Sequence, residues 1–378
     1  MAAERVRGRR HGEGVSQEQV DGAACLLSTV GISPHRILTE VPTGLGPEGA
    51  TVDFTRRLAY VTSSRSHAVT IVDLERLVAI GEVPVGREPT DSIYDEATGR
   101  LFTTDSRSDT ISVVDTRSRR LEAAIEMPFY PSGVALDPQR RRLFCGCAAM
   151  GVLAMIDADR LAVTAVIGSE PGAGGTAVDL RRNRVYCANF LSGSVTVIDP
   201  ERQAPLVTIP VGQGPCAMHV DEDHDKVYVA NSHSDSITRI DLGRMEAEVE
   251  IPVGRGPVGI FVPPDGDRIY AGNRGEGTVS VVGADGREWG RIPVGEAPAG
   301  CVIDGAGRLL VSNAGSCTLS VIEDLATGPA PHHSEGLSHP LIGKRLPPFA
   351  LPDLRTGGVR TSRTLAGKLY ILNFFASW

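Results

Sequence analysis

Residues 209–242 read IPVGQGPCAMHVDEDHDKVYVANSHSDSITRIDL. Runs such as KVYVAN and SITRI set β-branched and aromatic residues at alternating positions, with polar turn residues between them, as antiparallel strands require. The same text returns at 251–283, IPVGRGPVGIFVPPDGDRIYAGNRGEGTVSVVG, and at 83–115, VPVGREPTDSIYDEATGRLFTTDSRSDTISVVD. A proline recurs at Pro47, Pro89, Pro131, Pro171, Pro215, Pro257 and Pro298, an average spacing of about 42 residues.

Each repeat reads alike. A G-x-x-P turn leads to a strand ending near Asp (Asp53, Asp95, Asp137, Asp179, Asp221, Asp304), and three more strands run to the next turn. Four strands without a helical period make a sheet that cannot bury both faces alone, and radial stacking of such sheets solves the problem. The seventh repeat, 298–324, supplies only three strands, whereas PHRILTEVPTG before the first proline is a strand with no sheet of its own. Closing the ring with residues 36–41 as the outer strand of blade seven removes two edges at once. The expected fold is therefore all-β, a seven-bladed β-propeller over residues 35–325 closed by an N-terminal strand. Blade three is the weakest copy, with MPFYPSG and GVLAMID in place of the usual text.

VYVAN at 227–231, with the recurring IPVG-x-x-P and SVxVID motifs, resembles the YVTN family of β-propeller repeats.

The net charge of −8 excludes a general attraction to nucleic acid or anionic membranes. No run reaches the ~18 apolar residues of a membrane-spanning helix. Residues 1–34 are a polar leader, expected to be disordered, and make a poor secretory signal. Seven cysteines, an odd number, argue against a full disulfide framework. Cys145 and Cys187 fall in the column of Val61, Val229 and Val311 and read as small buried hydrophobes. The leader and the unpaired cysteines favour the cytoplasm, although propellers of the resembled YVTN type are often extracytoplasmic.

Inside the propeller, Cys216, His219 and Cys301 sit near the start of inner strands, where side chains can reach the central channel, with burial in the core as the competing placement. The run HVDEDHD, residues 219–225, contains metal-ligand types but occupies an ordinary turn position, so no metal and no cofactor is expected. Asn189, Asn231, Asn273 and Asn313 follow the second strand of their repeats and suggest turn-stabilising Asx hydrogen bonds.

After a linker at 326–340 the text changes. Residues 341–378, LIGKRLPPFALPDLRTGGVRTSRTLAGKLYILNFFASW, resemble the opening of thioredoxin-like redoxins of the TlpA and AhpC/TSA group. That resemblance implies a truncated α/β segment in which a short hairpin precedes the strand, with a nucleophilic cysteine directly after Trp378. Phe374, Phe375, Ala376, Ser377 and Trp378 would flank the redox site. LYILNFF is suited to a central strand covered on both faces, so the segment reads as incomplete. Either the sequence is a fragment, or the next residue is selenocysteine encoded by a stop codon.

Three functions follow as expectations. The first is a propeller binding platform joined to a thiol- or selenol-dependent oxidoreductase acting on disulfides or peroxides. The second is a non-catalytic scaffold that binds a protein or small molecule at the propeller face. The third is an enzymatic propeller of lactonase-like or quinoprotein-related type.

Overall fold

Each repeat folds into a four-stranded antiparallel meander with its strands in sequence order. In the first blade Pro47–Asp53 pairs with Leu58–Ser63, then Ala68–Asp73, then Val78–Pro84. The computed structural model describes residues 35–324 and the short strands Ala350–Pro352 and Val359–Thr361. Burial follows the radial order: Ala68–Asp73 is buried throughout, whereas Val78–Pro84 is mostly exposed at the rim.

Seven sheets close into a ring, and the closure is the one the sequence predicts. His35–Pro42 runs antiparallel to Thr318–Asp324, with Ile37 opposite Ile322 and Val41 opposite Leu319. Blade three, despite its divergent text, has all four strands, Pro131–Asp137, Arg142–Cys147, Val152–Asp157 and Ala162–Gly168. Pro171 is not the structural equivalent of the other repeat prolines. Ala173 pairs with Asn189 as Pro215 pairs with Asn231, so the true register in blade four lies two residues further on. With that correction, five of the six spacings are 42 residues and the last is 41.

The core is divided into seven clusters, each at a junction between neighbouring blades. Phe102, Ile111 and Ile125 of blade two meet Leu143, Cys145 and Ile156 of blade three, and Val61 and Val72 of blade one meet Leu310 and Val321 of blade seven. One large side chain recurs three residues before the end of each second strand: Tyr60, Phe102, Phe144, Tyr186, Tyr228, Tyr270 and Leu310, each no more than 4% exposed. Cys145 and Cys187 are fully buried there, as expected for small hydrophobes.

Turn chemistry differs from the expectation in one respect. The Asx hydrogen bonds come from the strand-end aspartates: Asp53 Oδ1 accepts from Arg56 N at 2.8 Å and Asp179 Oδ1 from Arg182 N at 2.8 Å. The recurring asparagines instead reach across to the third strand, Asn231 Nδ2 donating to Ser236 Oγ at 3.1 Å and to Thr238 Oγ1 at 2.8 Å. A fully buried amide is better placed joining two strands than capping a solvated turn.

The chain divides into two compact units, Met1–Pro329 and Ala330–Trp378. In the second, Ala350–Pro352 pairs antiparallel with Val359–Thr361, a two-stranded hairpin specific to no one fold. The leader, the linker at 326–340 and the remainder of 341–378, including Phe374, Phe375, Ala376, Ser377 and Trp378, lie outside the described residues.

Candidate functional site

The seven inner strands surround a central cavity, and one residue column lining it reads Gly49, Asp91, Gly133, Gly175, Ala217, Gly259 and Gly300. Small residues are required here. A Cβ on Gly133 would lie 2.8 Å from Gly175 Cα, and one on Gly259 would run into the Ala299 carbonyl. This close approach leaves an axial cavity of about 270 Å³. Its wall from blades one to four is polar, with Glu48, Thr90, Asp91, Ser132 and Thr176. Its wall from blades five to seven is apolar or soft, with Cys216, Met218, Val258, Ile260 and Cys301.

Asp91 is the charged exception in a column of small residues. Its Oδ1 accepts from Ser92 N at 2.8 Å and its Oδ2 from Val134 N at 3.0 Å. It is partly accessible from the channel, yet the surrounding protein desolvates it. That burial lifts its carboxyl to about 6, against the opposing pull of the two amides. The other carboxylate, Glu48, is held by Arg274 of blade six through contacts of 2.7 and 2.9 Å. That pair skips blade seven, whose residues at the two matching positions are only Ala299 and Ala314.

Cys216 and Cys301 both border this cavity and are not in the closed core. Cys216 Sγ lies 3.4 Å from the Pro257 carbonyl and 3.5 Å from that of Ala230. Burial pushes its thiol up to about 11 and that of Cys301 to about 12, so both stay protonated at neutral pH. His219 does not join them. Strand alternation turns it away from Met218, and its ring packs edge-on against Phe261 at 5.1 Å, where burial lowers its pKa to about 4.

The HVDEDHD turn is occupied by ion pairs and a histidine hydrogen bond. His224 Nδ1 lies 2.9 Å from Asp221 Oδ2, Arg181 pairs with Glu222 and Asp223, and Arg182 pairs with Asp225. Among the described residues no group of three or more His, Cys, Asp or Glu is placed to hold a metal ion. A second groove, at blade three, is lined by Arg140, Arg141, Arg142 and Arg160, with Asp157 and Asp159 between them.

Sequence reasoning missed Asp91, Glu48 and Arg274. The signal was available in the aligned repeats: Asp91 interrupts a glycine and alanine column, and Arg274 stands where other repeats carry Ser64, Ser106, Ala148, Phe190, Ser232 or Ala314.

No protein-family model matches the chain, and no curated protein matches it by sequence. Among solved structures, the chain is similar to one described as Kuenenia stuttgartiensis hydrazine synthase, with a TM-score of 0.67 and 20% identity, over 75% of this chain and 97% of that one. Likeness at this identity establishes a shared propeller fold, and the chain is accordingly a seven-bladed β-propeller.

Proposed function

We propose that residues 35–324 form a ligand-binding module, and that redox chemistry on disulfides or peroxides belongs to the C-terminal segment resembling the redoxins. The observation that carries this reading is the state of four of the six described propeller thiols. Burial raises the pKa of Cys145, Cys187, Cys216 and Cys301 alike, which suppresses the thiolate that attacks disulfides and peroxides. A rigid ring around an axial cavity suits selective binding. Among the described residues no helix is long and apolar enough to cross a membrane. The free thiols fit a reducing compartment, from which we infer the cytoplasm.

The test is a thiol-reactivity profile of the full chain at pH 7, read residue by residue by mass spectrometry, with disulfide-reductase and peroxidase assays alongside. Cys145, Cys187, Cys216 and Cys301 should label only on unfolding. Rapid labelling of Cys216 or Cys301, with reductase activity lost on their replacement by alanine, would overturn the reading.

A further inference from the structure

The axial cavity has a polarity that points to one ligand class. Glu48 is neutralised by Arg274, and no cationic side chain among the described residues pairs with Asp91, whose two oxygens each accept one backbone N–H. Each carboxylate oxygen therefore keeps acceptor capacity. Across the cavity Met218, Val258 and Ile260 present an apolar surface. A buried carboxylate without a counter-charge gains most from a cation that brings its own apolar body into the same space. A cavity of about 270 Å³ is of the size that accepts a small molecule.

We propose that this cavity binds a small organic ammonium ion, its charged head on Asp91 and its apolar body against Met218, Val258 and Ile260. The proposal rests on the reading of the propeller as a ligand-binding module and names the ligand class. Asp91 supplies charge selection, and the opposite wall supplies contact area.

The experiment titrates the full chain with n-butylammonium chloride, n-butanol and sodium butyrate at matched ionic strength, reading heat and melting temperature. Butylammonium is expected to bind and raise the melting temperature, with the neutral and anionic analogues weaker by about tenfold or more. Asp91→Asn keeps an amide oxygen for one of the two backbone donors and should erase the preference for the cation. Its own melting curve reports whether it folds. Val258→Phe, which narrows the apolar wall and leaves Asp91 in place, should weaken butylammonium binding by a similar factor.

The proposal is overturned if butanol or butyrate binds as tightly as butylammonium, if folded Asp91→Asn retains the cation preference, or if Val258→Phe binds like the wild type. It also falls if no probe binds at concentrations up to about 10 mM. The first three results leave a binding cavity of other chemistry. The thiol profile that tests the module reading is independent of all four.

Discussion

Arg141 of blade three grips Asp95 of blade two through two hydrogen bonds of 3.0 and 2.7 Å. Asp95 is 1% exposed, so this pairing is what allows a carboxylate to sit between blades. Thr98 Oγ1 and Ala97 N donate to the same carboxylate. Arg141→Ala should leave a buried charge with hydrogen bonds but no counter-ion and cost about 2–4 kcal/mol. Urea unfolding measures it, and a loss below about 0.5 kcal/mol would show that the junction does not depend on this pair.

The N-terminal clasp gives a second expectation. His35–Pro42 supplies the outer strand of blade seven, and Val41, 1% exposed, packs into the junction with blade one. Removing residues 1–42 exposes that strand edge and uncovers the cluster, a loss on the order of 3–5 kcal/mol. Thermal melting of the shortened protein should drop well below that of the full chain, and an unchanged curve would refute the role of the clasp.

Asp105 occupies the position held by Asn189, Asn231, Asn273 and Asn313 in blades four to seven. It is fully buried and accepts from Ser112 Oγ at 2.6 Å and Thr110 Oγ1 at 3.1 Å, and burial lifts its carboxyl from 3.8 to about 6. A carboxyl raised on folding holds its proton more tightly in the native chain. Its contribution to stability is therefore full below 3.8 and declines as the pH rises towards 6. Asp105→Asn should raise stability at pH 7 by about 1–2 kcal/mol, the gain vanishing near pH 4. His219, lowered to about 4, acts in the opposite sense but is common to both proteins, so the difference between their pH profiles isolates Asp105.

Two glycines make a matched pair. Gly133 lies against the inner strand of blade four, where a Cβ would press on Gly175 Cα at 2.8 Å, while a Cβ on Gly290 at the rim meets nothing within 4 Å. Gly133→Ala should destabilise by about 2 kcal/mol or more through overpacking. Gly290→Ala should be neutral or stabilising by up to about 1 kcal/mol. Equal effects of the two changes on the melting temperature would contradict the crowding of the inner strands.

How far the sequence reaches can be traced residue by residue. Asp53 and its counterparts mark strand ends because the aspartate's bond to the following turn is local, and the large residue at Tyr60, Phe102 and Tyr186 marks each blade because one environment recurs in each repeat. The two-residue offset of Ala173 against Pro171 was hidden because proline is a turn signal in either register, and only pairing with Asn189 distinguishes them. The redoxin-like reading of 341–378 rests on the resemblance alone.

The sequence by itself determined the four-stranded repeat, the blade number and the borrowed outer strand, since alternation, turn chemistry and a missing strand are properties of neighbouring residues. Only the tertiary structure decided that Asp91 and Cys216 share one cavity, that His219 leaves it, and that Glu48 meets Arg274 across 226 residues of chain. Those relationships arise where seven strands converge on one axis, and the distance between their residues there is fixed by ring closure, which no local pattern encodes.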